Sequence, residues 1–109
     1  MNALIYNVTL KVNHHIHTDW LRWMQEEHIQ EVIATGCFTS ARLLHLVESD
    51  DEEGVTYAVQ YEAADRQLYD RYIQQFAENL RKKGYEKWGD GFIAFRTLME
   101  VRGTHVPLP

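Results

Sequence analysis

The sequence predicts an α+β fold in which a four-stranded antiparallel sheet carries two helices on one face. Segments with an apolar residue at every second position, typical of strands, alternate with segments whose apolar residues recur every three or four positions, typical of helices. Their order along the chain is β-α-β-β-α-β, and right-handed crossovers place the first and third strands at the centre of the sheet. This arrangement is the ferredoxin-like sandwich.

The first strand is predicted at 3–12, where one face is apolar and the other is mixed. The apolar face, which should meet the helices, comprises Leu4, Tyr6, Val8, Leu10 and Val12. Ile5, Asn7 and Thr9 lie on the opposite face, which either water or a second copy of the chain must cover.

The first helix is predicted to follow a connection at 14–18, with Thr18 as its N-cap and Gly36 as its C-cap. Residues on its apolar side are Trp20, Leu21, Met24, His28 and Val32. His28 should therefore point into the protein. Trp23 falls among the charged residues of the other side, so it should point outward or against a partner.

The remaining elements follow from the same patterns. A hairpin is predicted from strands at 38–47 and 55–62, joined by an acidic loop that ends at Gly54. Asp65 should cap a second helix that ends at Gly84, and the last strand is predicted at 92–101. We therefore expect a single domain over residues 1–102 and a loosely ordered C-terminal tail at 103–109, which contains both prolines.

Composition and charge limit the classes of function. The chain has 109 residues, a formal net charge of −5 and one cysteine. Because the net charge is negative, neither nucleic acid nor an anionic membrane is an expected partner. The sequence contains no run of about 18 apolar residues and no signal-like start, and Cys37 has no partner for an internal disulfide. We expect a cytoplasmic protein.

Five motifs together resemble a small bacterial family known only as a domain of unknown function. They are IYNVT at 5–9, WxxWM…HI at 20–29, TGxF at 35–38, YxVQY at 57–61 and GDxFxAFRTL at 89–98. Members resemble the wider dimeric α/β-barrel group, in which two ferredoxin-like subunits pack sheet against sheet. That group includes cofactor-free oxygenases, muconolactone-type isomerases, haem-binding enzymes and proteins with no known activity. The resemblance implies the fold and a homodimer, and it carries over no catalytic residue.

His28 is the leading candidate for a catalytic residue. An imidazole on an apolar helix face above a sheet could act as a general base or as a donor that orients a ligand, because its ordinary pKa lies near neutral pH. Alternatively, it is a core histidine that is hydrogen-bonded to a sheet side chain or a backbone carbonyl. The two interpretations differ in whether a cavity lies beside the ring.

Asn7, Gln60 and Arg96 are candidates for ligand binding on the sheet face away from the helices. Their strands are expected neighbours, and Arg96 could hold a carboxylate or another anion while the two amides fix its orientation. The alternative is a polar network at a dimer interface, with Arg96 paired to Glu62 or Glu100 of either subunit. A slip of one residue in the last strand would turn Arg96 to the other face.

Trp20 and Trp23 form a further pair of candidates. Both could line a pocket or stack on an aromatic ligand, although packing at an interface is the favoured role for Trp23. His14, His15 and His17 lack the additional ligands that a zinc site needs, so we interpret them as solvated loop residues. No metal or other cofactor is expected.

Two functional hypotheses follow. In the first, the protein is a homodimer that binds a small, partly aromatic or anionic molecule, or serves as an assembly module, without turnover. In the second, it is a cofactor-independent oxygenase or isomerase with His28 as base and Arg96 as anion holder. An enzyme needs a pocket of roughly a few hundred cubic ångströms beside a titrating group, whereas a filled core around His28 favours the first hypothesis. The sequence has no nucleophile elbow, phosphate loop or dinucleotide fingerprint, which also favours the first hypothesis.

Overall fold

The structure, a computed structural model that describes residues 2–109, is a four-stranded antiparallel sheet with helices on one face. The strands are β1 (Leu4–Val12), β2 (Ser40–His45), β3 (Val55–Ala63) and β4 (Phe92–Glu100). The helices are α1 (His14–Trp23), α2 (Ile29–Ile33), α3 (Arg66–Gln75) and α4 (Ala77–Trp88), and a π-helical turn, Met24–His28, joins α1 to α2. The spatial order of the strands is β2-β3-β1-β4, which confirms the predicted topology with β1 and β3 in the centre.

The helix-facing side of the sheet is the side that the alternation predicts. Tyr6 and Leu10 of β1 are buried and pair with Tyr61 and Tyr57 of β3. Val59, the inward residue between the two tyrosines of β3, is fully buried. Burial of an apolar side chain of this size stabilises the fold by about 1.5–3 kcal/mol. These residues form one continuous core with the apolar sides of the helices.

The first helix begins earlier than the sequence predicts. It starts at His14, directly after Asn13, whose backbone N–H donates to the carbonyl of Gly91 at 2.9 Å. Ile16 in the first turn packs against the core, so this segment is helical and is not an extended connection. Thr18 therefore lies inside the helix and is not its N-cap. The start of α1 is determined by these tertiary contacts, which a local capping pattern in the sequence cannot reveal.

The π-helical turn changes the direction of Trp23. The backbone N–H of Ile29 donates to the carbonyl of Met24, which lies five residues earlier instead of four. Side chains five residues apart in an α-helix point about 140° away from each other. Across this turn, however, the rings of Trp23 and His28 stack with their centroids 4.5 Å apart. Trp23 is only 9% exposed, which corrects the prediction that it points outward.

The second helical segment breaks at Phe76 and not at Gly84. Asp65 caps α3 as predicted, because its Oδ1 accepts a hydrogen bond from the backbone N–H of Leu68 at 3.0 Å. Phe76 has a φ of −126°, which ends α3 and separates it from α4. Gly84 lies buried inside α4, where a Cβ would be 3.8 Å from Trp23. The glycine therefore marks a close helix contact rather than a helix end.

The register of β4 turns Arg96 to the helix side of the sheet. Arg96 lies opposite Val8, whereas Asn7 lies opposite Gln60 on one side and Thr97 on the other. Side chains of directly opposed residues share a face. Arg96 therefore does not share the face of Asn7 and Gln60, and the prediction that the three converge is wrong by one residue along β4.

Other boundaries differ little from the predictions. The second strand is two residues shorter at each end than the predicted 38–47, and β4 ends one residue before the predicted end. Gly36 has the positive φ, 79°, that a helix C-cap glycine takes. Residues 101–109 contain no helix or strand and are mostly exposed. Among residues 2–109, no helix has the length and apolar character to span a membrane.

Replacing Gly84 with alanine should stabilise the fold. The added Cβ would lie 3.8 Å from Phe92 and from Trp23, an ordinary van der Waals distance. Alanine is favoured over glycine inside a helix by about 0.5–1 kcal/mol. We expect the free energy of unfolding, measured by urea denaturation, to rise by about that amount.

Gly54→Ala is the matched control for this substitution. Its Cβ would lie 2.5 Å from the backbone carbonyl oxygen of Val12, so the chain must shift to accept it. Overpacking of this kind costs about 1–3 kcal/mol. Equal losses of stability in the two variants would show that Gly84 is not placed as described.

Candidate functional site

A cavity of about 60 Å³ lies between the helices and the sheet. Inward side chains of β1, β3 and β4 form one wall, and side chains of the helical layer form the other. Trp20 and Trp23 both line it. Three basic side chains line it, namely those of His28, Arg81 and Arg96. The other lining residues are apolar, aromatic or glycine. Of the residues singled out in the sequence, the cavity therefore brings together Trp20, Trp23, His28 and Arg96.

His28 lies in the cavity wall at the end of the π-helical turn. Its Nδ1 is buried without a hydrogen-bond partner, so the core interpretation with a hydrogen bond to the sheet does not apply to this atom. Burial lowers the pKa of His28, and Lys83 acts in the same direction, whereas Glu31 acts against it. The imidazole is therefore neutral at neutral pH. Depending on its tautomer, Nδ1 offers either a free acceptor or a free donor.

Arg81 of α4 is the site residue that the sequence interpretation missed. Its Nη2 donates to the hydroxyl of Tyr6 at 3.0 Å, and its Nε is buried without a partner. It opens a run of three basic residues, which is typical of a solvated helix end. However, it lies four residues after Ala77 and three before Gly84, and both of these are buried. This spacing places Arg81 on the inward face of the helix and is the pattern that could have revealed it.

Arg81 and Arg96 bring unpaired positive charge to the cavity. Burial raises the pKa of Tyr72, and both arginines lie close enough to this tyrosine to oppose the rise. Within the described chain, the ion pairs involve other cations, and no carboxylate lines the cavity. The protein as a whole carries a charge of −5, so this local excess of positive charge does not follow from composition. Unpaired guanidinium groups beside a cavity favour an anionic ligand.

The cavity opens beside the edge strand β4. Arg96 and Tyr85 are exposed, whereas all other lining residues are buried or half-buried. The ring of Tyr85 stacks on that of Phe92 with centroids 5.3 Å apart. The mouth of the cavity therefore lies between α4 and β4, with one cation at its rim.

Asn7 and Gln60 lie on the outer face, the sheet face away from the helices. They oppose each other across β1 and β3, and Nδ2 of Asn7 donates to Oγ1 of Thr9 at 3.0 Å. The sheet separates them from the cavity and from Arg96. Large apolar side chains on the β4 part of the outer face are exposed, namely Ile93, Phe95 and Met99.

The histidines at 14, 15 and 17 lie in the first turn of α1 and not in the loop that the sequence predicts. Nε2 of His14 lies 2.6 Å from the carbonyl oxygen of Asp51, and Nε2 of His17 lies 2.6 Å from the hydroxyl of Tyr57. His15 is exposed on the same helix. These contacts join α1 to the β2–β3 hairpin. Across residues 2–109, no three His, Cys, Asp or Glu side chains are grouped as metal ligands.

Comparison with known families identifies the chain. A family model described as a domain of unknown function, DUF4286, matches residues 3–102. The chain belongs to this family. The match to DUF4286 confirms the resemblance seen in the sequence motifs. No curated protein sequence matches the chain.

Solved structures show that this DUF4286 domain has the fold of the ferredoxin-like group. A dimeric ferredoxin-like protein from an uncultured marine organism has a TM-score of 0.69 at 12% identity, covering 96% of this chain and 100% of that chain. A monooxygenase from Streptomyces coelicolor, in complex with nanaomycin D, has a TM-score of 0.67 at 13% identity, covering 98% and 94%. SnoaB, a cofactor-independent oxygenase from Streptomyces nogalater, has a TM-score of 0.64 at 13% identity, covering 95% and 97%. At these identities the similarity shows the fold alone.

Folding stability should fall as the pH falls below 6.5, the ordinary pKa of histidine, because burial holds the pKa of His28 lower in the folded state. Below that pH the unfolded chain binds the proton more readily than the folded chain, so acid favours unfolding. In urea denaturation over a pH series, His28→Gln should lose part of this dependence. His15→Gln removes an exposed imidazole and serves as the control. A wild-type slope in His28→Gln would contradict the assignment of His28 as a neutral histidine whose Nδ1 is buried.

Proposed function

We propose that this DUF4286 protein binds a small organic anion in the cavity between its helices and its sheet, without turnover. One observation carries the proposal: Arg81 and Arg96 line the cavity, and neither is in an ion pair within the described part of the chain. A guanidinium can bind a carboxylate through two parallel hydrogen bonds. The aromatic walls, which include Tyr6 and Tyr72, suit a planar or apolar ligand body.

The size of the cavity limits what can enter it. Its volume of about 60 Å³ is small compared with the roughly 150 Å³ of an apolar cavity that accommodates benzene. The cavity is about twice the roughly 30 Å³ that one water molecule occupies in the liquid, so it holds a carboxylate group and little more. The proposed ligand is therefore small, or only its anionic end enters the cavity.

We also infer that the protein is a homodimer that packs through the outer face. Phe95 is 66% exposed there, and Ile93 and Met99 project from the same side of β4. Exposed apolar side chains in one row favour contact with a protein surface. A structurally similar protein is described as dimeric, which supports the inference. We also infer a cytoplasmic location, as the sequence predicts. The buried free thiol of Cys37 agrees with a reducing compartment.

A second candidate function is proton transfer catalysed by His28. The observation in its favour is that the neutral imidazole lines the same cavity as the two arginines and that its Nδ1 has no partner. His28 would accept a proton from a carbon beside a carbonyl group, and Arg81 and Arg96 would stabilise the anion formed. This is isomerase-type chemistry. Because an enzyme site is usually larger than this cavity, we favour binding over catalysis as the function.

The catalytic candidate predicts exchange of carbon-bound hydrogen. In D₂O, 2-oxobutanoate should lose its C3–H signal in the proton NMR spectrum faster with the wild-type protein than in buffer. His28→Gln should abolish the acceleration, because the general base is absent. Acceleration that survives in His28→Gln would exclude His28 as the base. No acceleration with the wild-type protein would leave binding as the function.

Arg81→Met and Arg96→Met should each weaken binding of butanoate by about tenfold or more, because a hydrogen bond to a charged group contributes about 1.5–3 kcal/mol. The affinity is measured by NMR titration of the backbone amides. Arg71→Met, which removes an exposed arginine of α3, should bind as the wild type does. Arg96 is exposed, so its substitution is not expected to disturb the core. Unchanged affinity in Arg96→Met would contradict the proposed site.

Phe95→Glu should weaken the proposed dimer. Loss of one buried phenylalanine contact costs about 1.5–3 kcal/mol, so the dissociation constant should rise at least about tenfold. Native mass spectrometry reports the subunit number and any retained small molecule in one spectrum. Val47→Glu, at a loop position that is 81% exposed, is the control and should remain dimeric. A monomeric wild-type protein would refute packing through the outer face.

A further inference from the structure

We propose that the ligand is an amphiphilic monocarboxylate, whose carboxylate head enters the cavity and whose apolar tail lies in a groove along α4. The inference rests on the proposed function, because it assumes that the cavity holds the anionic head. It adds a second compartment to the site and defines the chemical class of the ligand.

The groove adjoins the cavity. It is a shallow, largely open depression of about 540 Å³ that runs along the outer surface of α4 to the end of α3. Arg81 and Tyr85 line both the groove and the cavity. These two residues are four apart in α4, so they are neighbours on one face of the helix. The groove therefore begins where the mouth of the cavity lies.

The groove has an apolar floor and polar edges. Ile73 and the ring of Tyr85 provide its apolar surface, and Ala77, which also lines it, is buried. At one edge, Lys82 pairs with Glu86 at 3.8 Å, so its charge is already matched. Such a surface suits an alkyl or aryl chain and offers no free cation for a second anionic group.

Charge fixes the direction in which a ligand can lie. Glu78 lines the groove and is three residues from Arg81 toward the start of α4, away from the mouth. A carboxylate head is therefore attracted toward Arg81 and Arg96, whereas a second carboxylate on the tail would find no free cation in the groove and would be repelled by Glu78. Monocarboxylates should bind better than dicarboxylates of equal length.

Neither compartment is a complete site by itself. The cavity, about 60 Å³, has unpaired cations but room for only a head group, whereas the groove, about 540 Å³, has room for a tail but shares its one unpaired cation with the cavity. A ligand that spans both would satisfy the arginines and cover the exposed ring of Tyr85. This complementarity of charge and size selects an amphiphile over a purely polar anion.

The test is a series of straight-chain monocarboxylates from propanoate to octanoate, titrated by NMR at concentrations below those at which they form micelles. A fully buried methylene tightens binding about fourfold, so a methylene that the open groove covers only by half should tighten it about twofold. Octanoate, which has four more methylenes, should therefore bind at least about tenfold more tightly than butanoate. Octanedioate and the neutral 1-octanol should bind no more tightly than butanoate. Octanedioate carries a second carboxylate into a groove that has no free cation, and 1-octanol lacks the anionic head.

Variants separate the head from the tail. Ile73→Thr makes the groove more polar, so the ratio of octanoate to butanoate affinity should fall from about tenfold to about threefold. Val47→Thr, at an exposed loop position after β2, which is the sheet edge opposite β4, should keep the wild-type ratio. Arg96→Met should weaken both acids. Thermal unfolding of each variant verifies that it is folded.

The possible failures are distinguishable. If no acid binds the wild-type protein, the proposed function fails, and this inference fails with it. If butanoate and octanoate bind equally well and Arg96→Met weakens both, the anion site stands and the tail groove is refuted. If octanol binds as tightly as octanoate, the groove binds apolar molecules independently of the arginines, and the link between the two compartments is refuted.

Discussion

The stacking of Trp23 on His28 forms one wall of the cavity between the helices and the sheet. It depends on the π-helical turn, Met24–His28, which brings two side chains five residues apart onto the same side of the helix. A regular α-helix would leave Trp23 among the charged residues and remove one wall of the cavity. The turn replaces the regular α-helical hydrogen bonds of this segment and places an aromatic wall beside the half-buried imidazole of His28. Turns of this kind often occur at functional sites.

The second constraint is electrostatic. The net charge of the protein is −5, yet the cavity is lined by Arg81 and Arg96 and by no carboxylate. Because a guanidinium that loses water without gaining a partner is costly, such an arrangement is stable only where a ligand or water can approach it. Arg96 meets this condition at the rim, and the Nε of Arg81 lacks a partner inside. These two positive charges favour an anion over a neutral or cationic ligand at this cavity.

The sheet was predictable from the sequence because its alternation has a period of two residues and the apolar face of β1 is uniform. The candidate site was only partly predictable. His28 and Trp20 fall on the apolar side of any helical projection, but the direction of Trp23 depends on the extra residue in the π-helical turn, which has no local sequence pattern. Arg96 was assigned to the wrong face because, in an edge strand with mixed polarity, one residue of register is undetermined.

The most direct test of the anion site is the NMR signal of the Nε–H of Arg81, which has no hydrogen-bond partner in the described structure. During titration with butanoate, we predict that this signal shifts and that its hydrogen exchange slows, with the same saturation curve as the backbone amides around the cavity. An Nε–H signal that stays unchanged while those amides respond, or a titration that moves neither, would contradict a carboxylate bound at Arg81.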